Sequence, residues 1–133
     1  MYLDVILLHD VIEHVPTKEP FLAHLKNFLK PTGVLFVGFP AWQMPFGGHQ
    51  QICRSKFCSN LPFIHLLPNS LYKWLLKTCN EESGTINELM SIKECRTSIE
   101  LFEKLIHECD LSVTGQKLWL INPHYKQKFN LAP

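Results

Sequence analysis

Residues 3–40 read LDVILLHDVIEHVPTKEPFLAHLKNFLKPTGVLFVGFP, and the fold is decided there. Val5 to Leu8 is a short continuous apolar run between Asp4 and a polar cluster, the pattern of a strand buried on both faces of a parallel sheet. His9, Asp10, Glu13 and His14 follow directly, so ionisable groups stand just beyond the carboxyl end of that strand, where open α/β sheets bind ligands. Thr17 is placed to cap a helix, Glu19 lies in its first turn, and Pro20 falls where a missing N–H costs little. Phe21, Leu22, Leu25, Phe28 and Leu29 recur at helical spacing and form a stripe to lay on the sheet; Lys30, Pro31 and Gly33 mark its end. Val34 to Phe39 is a second apolar run without alternation, which completes a strand, helix, strand unit with an expected right-handed crossover.

Beyond Pro40 the composition shifts. Ala41 to Gln51 carries Trp42, Pro45, Gly47, Gly48 and His49, a loop rich in turn formers that leaves the end of a strand and is expected to hang over the same crevice as His9 to His14. Gln51 to Asn69 is irregular, with Pro62 and Pro68 as breakers and an apolar stretch from Leu61 to Leu67 that reads as packed core or as a lid. Ser70 to Thr78 is expected to be helical, with Leu71, Trp74, Leu75 and Leu76 inward, and Ile86 to Cys95 is a second helix after the polar break Asn80 to Thr85. In the last clear helix Thr97 and Glu100 fit a capping box, and Ile99, Phe102, Leu105, Ile106 and Cys109 make the buried stripe. Leu111 to Val113 and Lys117 to Asn122 read as a bent final strand.

The formal net charge of the 133 residues is +1, with charges dispersed, so there is no basic patch of the kind nucleic-acid binding requires. No apolar run reaches the roughly 18–20 residues of a membrane span, and the N-terminus has no signal-peptide pattern, so a cytoplasmic location and no stable membrane insertion are expected. The five cysteines fit reduced thiols. His49, Cys53, Cys58 and His65 offer zinc-compatible chemistry, but their spacing is not that of a C-x-x-C knuckle, and no metal is assigned from the sequence.

The runs D-V-I-L-L-H-D-V-I-E-H-V, F-L-x-x-L-x-x-F-L-K-P-x-G and V-L-F-V-G-F-P resemble the fourth and fifth strands, with their connecting helix, of class I S-adenosylmethionine-dependent methyltransferases. A-W-Q-M-P-F-G-G-H-Q resembles the loop after the fifth strand in one bacterial branch of that family. The resemblance implies an α/β, partial Rossmann-like fold: strands four to six with flanking helices and a helical, substrate-side insertion at 41–96, and a final helix and strand at 97–133. It also implies that the N-terminal cofactor-binding half is missing, since the glycines form no G-x-G-x-x-G and no strand precedes Val5 to host one. The chain is therefore expected to be a fragment beginning in mid-fold.

The activity so implied is methyl transfer from S-adenosylmethionine to a small-molecule acceptor. In such an in-line displacement the protein positions the nucleophile and, for a poorly acidic oxygen or nitrogen, accepts its proton. His49 and His14 are the candidate bases, because an unperturbed imidazole titrates near neutrality; a histidine bonded to backbone is the competing reading of each. The resemblance places His9, Asp10 and Glu13 at the cofactor, against a strand-end polar cap as the alternative. Trp42, Phe46, Gly47 and Gly48 would meet the substrate, against plain packing. Two further readings stay open: a non-catalytic module that binds a partner chain, and a metal-dependent, hydrolase-like α/β domain using His9, Asp10, Glu13 and His14. In the family's strand order the first visible strand would lack a neighbour, so self-association through its edge is expected.

Overall fold

Leu3–His9 (β1) and Leu29–Gly38 (β2) run parallel, with Lys18–Lys26 (α1) between them in the chain, as the apolar runs of the sequence require. The computed structural model describes residues 2–120. Register is regular from Val5 opposite Val34 to His9 opposite Gly38, but Leu3 pairs with Leu29, so the Lys30–Gly33 segment bulges out of the ladder. Pro31 has no N–H to offer there, and a Cβ on Gly33 would press on the Leu3 carbonyl oxygen at 2.9 Å. The bulge also moves the helix end. Leu3 N donates to Phe28 O at 2.7 Å, which draws Phe28 and Leu29 out of the expected helical stripe and stops α1 at Lys26.

The two faces of this sheet differ. Leu35 and Val37 pack on one side against a core of Ile12, Leu22, Leu105 and Cys109, contributed by α1, the chain after β1, and the last helix, Ile99–Glu108. On the other side Val5, Leu7, Val34 and Phe36 are 61%, 67%, 48% and 55% exposed, so burial on both faces does not hold within residues 2–120.

The segment between sheet and last helix folds into Lys56–Asn60 (α2), Asn69–Thr78 (α3) and Ser83–Cys95 (α4), with one-turn 3-10 helices at Gln50–Ile52 and Ile64–Leu66. Its core is Cys53, Cys58, Ile64, Tyr72, Leu76, Ile86 and Leu89. Burial pushes the Cys53 and Cys58 thiols up to about 12, helped for Cys53 by Glu81 and for Cys58 by Cys79, so both are unreactive packing groups. The inward face of α3 is not the expected one. Tyr72, Leu75, Leu76 and Cys79 form the i, i+3, i+4, i+7 stripe on this core, and Leu71 and Trp74 are exposed.

The final helix, α5 (Ile99–Glu108), is capped one residue later than expected. Ser98 Oγ accepts from Leu101 N at 3.1 Å, whereas Thr97 is buried with its carbonyl accepting from Trp42 N at 2.9 Å. Residues 111–120 form no strand, so the expected final strand is not found among the described residues, and 121–122 of that expectation lie outside them. The arrangement is α/β, with a two-stranded parallel sheet and five α-helices among the described residues. None of those helices is long and apolar enough to cross a membrane.

Candidate functional site

The end of β1 sets the site. Asp10 N donates to Gly38 O at 2.9 Å, closing the ladder, and Asp10 then takes a left-handed φ of 52°, which its short polar side chain tolerates. A single 3-10 turn, Ile12–His14, follows. Its first residue, Ile12, is fully buried in the sheet-side core, which anchors the turn and carries Glu13 inward with it. Glu13 is 2% exposed, and neither carboxylate oxygen makes a hydrogen bond among the described residues.

Two histidines face that carboxylate. His14, next in the chain and half-exposed, brings Nε2 to 3.9 Å from Glu13 Oε1; His49, from the loop after β2, brings Nε2 to 3.4 Å from the same oxygen. The two rings meet edge to face with centroids 5.3 Å apart. His49 Nε2 is itself buried and without a hydrogen bond among the described residues.

Local chemistry explains how His49 arrives there. The loop after β2 winds through successive turns, Met44 N to Ala41 O, Gly47 N to Met44 O and His49 N to Phe46 O, at 2.9 to 3.2 Å. Gly47 and Gly48 are required by close approach: a Cβ on Gly47 would collide with the Ala41 carbonyl, and one on Gly48 with the His65 side chain. Gln50, fully buried, ties the loop from beneath by donating to Pro45 O at 3.0 Å and Leu61 O at 3.4 Å. His49 itself adopts φ 56°, ψ 22°, a left-handed conformation costing about 1–2 kcal/mol in a non-glycine residue. Strain of this kind is concentrated where a side chain has to be aimed.

The other expected residues divide. His9 Nδ1 pairs with Asp10 Oδ2 at 3.0 Å, both exposed, as a separate couple at the strand end. The ring of Trp42 packs edge-on against His65 at 4.6 Å, with Lys93 Nζ 5.5 Å from its centroid, and Phe46 is buried. His49, Cys53, Cys58 and His65 do not converge as a metal set; among the described residues, the group whose ligand atoms gather within 4.8 Å of one another is Glu13, His14 and His49.

Two further polar residues border the site, Lys18 without a signal in the sequence and His65 in a role other than the zinc ligand weighed for it. Lys18 is buried and close enough to Glu13 for its charge to be felt, but its ammonium donates to the Val15 and Cys95 carbonyls, and burial lowers its pKa. His65 is fully buried behind the loop, Nε2 donating to Trp42 O at 2.9 Å, and burial lowers its pKa as well. A groove of about 360 Å³ runs between Pro16–Pro20 and Glu94–Arg96, and none of the expected site residues lines it. No protein-family model, no curated protein and no solved structure matches this chain.

Proposed function

We propose that the chain is the substrate-side part of a class I, Rossmann-like methyltransferase, transferring a methyl group from S-adenosylmethionine to a small-molecule acceptor. One observation carries the reading: the parallel pair β1 and β2 delivers Glu13, His14 and His49 to one point beyond its carboxyl end, which is where this architecture does its chemistry. S-Adenosylmethionine would supply an electrophilic methyl group. The exposed His9 and Asp10 pair, first off the strand, is the polar surface available to its amino-acid part. The acceptor's proton or developing charge is handled at the Glu13, His14, His49 cluster, where a buried carboxylate oxygen stands 3.9 Å from one imidazole nitrogen and 3.4 Å from the other. Gly47 and Gly48 act by letting the loop close tightly, and Trp42 by fixing its base against His65, more than by direct contact with substrate.

The glycine-rich turn that the family uses for the cofactor is not among these 133 residues. Cofactor binding is therefore expected to need a segment that carries one. Calorimetric titration with S-adenosylhomocysteine tests this: binding by the chain joined to such a segment, weakened in a His9→Ala, Asp10→Ala double variant of it, supports the reading. No binding in any form would leave a non-catalytic module as the better description.

A further inference from the structure

Glu13, His14 and His49 present a chemical difficulty that a methyltransferase base alone does not resolve. A carboxylate with only 2% of its residue's surface exposed, and with neither oxygen hydrogen-bonded among the described residues, costs several kcal/mol unless a positive charge is beside it. The ammonium of Lys18, whose charge Glu13 feels, donates to two backbone carbonyls and makes no ion pair with it among the described residues. The histidine nitrogen facing the carboxylate at 3.4 Å is buried too and has no hydrogen bond among the described residues.

We infer that Glu13, His14 and His49 form a binding site for a divalent transition-metal ion, with one carboxylate oxygen and two imidazole nitrogens as ligands. The spacing fits. Ligands at about 2.0–2.1 Å around a tetrahedral ion lie about 3.3–3.4 Å from one another, and His49 Nε2 stands 3.4 Å from Glu13 Oε1. His14 Nε2 is 3.9 Å from the same oxygen, the three ligand atoms lie within 4.8 Å of one another, and the half-exposed His14 ring would have to move inward to complete the set. Two imidazoles with one carboxylate suit zinc, iron(II), cobalt(II) or nickel(II), and disfavour magnesium and calcium, which take oxygen ligands. His9 and Asp10 are not part of the site, since they pair with each other. Three ligands leave positions open to an acceptor oxygen, whose proton the ion would make easier to lose. That catalytic role rests on the methyl-transfer reading; the site itself rests on the geometry alone.

The test is titration of the full chain with zinc and with cobalt(II) as separate probes, following heat and the visible cobalt spectrum. One ion per chain is expected, with a cobalt spectrum free of thiolate charge-transfer bands. His49→Gly keeps the backbone comfortable at its positive φ and should weaken zinc binding about 100-fold or more, since even groups that merely orient a ligand are worth about 10–100-fold. Glu13→Gln should do the same, with circular dichroism confirming that both variants fold. No saturable binding, thiolate bands showing the ion on cysteines, or undiminished binding in His49→Gly would each overturn the site. Because zinc binding is read without S-adenosylhomocysteine, its outcome is separate from that of the methyltransferase test.

Discussion

At the scale of single residues, His65 and Gly48 govern how the His49 loop is held. His65 is buried with its pKa lowered by desolvation, opposed by its bond to Trp42 O and reinforced by Lys93. A histidine whose folded pKa lies below its unfolded value, about 6.5, contributes stability that is present above that pH and is lost as pH falls toward the folded value. The chain should therefore lose stability below about pH 6.5, with a slope of at most about 1.4 kcal/mol per pH unit from this residue. His65→Gln should flatten that part of the curve in urea unfolding from pH 7.5 to 5.5, and parallel curves for the two proteins would refute the assignment. Gly48→Ala tests the contact from the other side. Its methyl would overlap the His65 side chain, so a loss of about 1–3 kcal/mol is expected, along with displacement of His49. At this scale the sequence was partly readable. The E-H pair after the strand and the glycine-flanked His49 announced themselves by type and place. The inward turn of Glu13 did not, because it depends on Ile12 being driven into the core; Lys18 gave no signal beyond being a polar residue, and His65, weighed with His49, Cys53 and Cys58 as a zinc ligand, instead bonds the Trp42 carbonyl.

Among the elements, the joint between α3 and α4 is held by one carboxylate. Glu81, buried, accepts from Arg54 N at 2.9 Å and Ser55 N at 2.8 Å, and so satisfies the backbone at the start of α2 from a distant part of the chain. Two charge-assisted bonds from part-buried donors to a buried carboxylate make Glu81→Ala an expected loss of about 2–3 kcal/mol in chemical unfolding with an unchanged m value, against about 1 kcal/mol for removing the ordinary cap in Ser98→Ala. Equal losses would mean that Glu81 is not a tether. The elements themselves were legible wherever an apolar pattern was long. β1, α1, α3 and α5 stand near their expected places, because their runs or stripes set the period; α4, whose apolar face is only partial, starts at Ser83, inside the expected polar break Asn80 to Thr85. What failed was the part set by neighbours: the face of α3, decided by Tyr72 filling the cysteine-lined core, and the strand expected after α5, which has no partner strand among the described residues to hydrogen-bond it.

For the molecule as a whole, the consequence lies in the uncovered side of the sheet. Val5, Leu7, Val34 and Phe36 stand in register as two cross-strand pairs, Val5 with Val34 and Leu7 with Phe36, and form one continuous apolar surface. The far edge of β1 has no strand paired to it among the described residues, so its backbone donors and acceptors are open to another strand. A run with the composition of Val5 to Leu8 belongs in a sheet covered on both faces, and residues 2–120 cover one. Isolated, the 133-residue chain should therefore pair with a second copy through this face and edge. Light scattering at about 50 μM, a concentration at which exposed edges already associate, should report a mass above that of the 15.5 kDa monomer. Leu7→Lys and Phe36→Glu place charge on the bare face without touching the Leu35 and Val37 side, so each should shift the mass toward the monomer while far-ultraviolet circular dichroism stays unchanged. A monodisperse wild-type monomer with a cooperative melt would show instead that the two-stranded sheet is tolerated bare, and that α1 and α5 on one side suffice to hold the crevice in which Glu13, His14 and His49 meet.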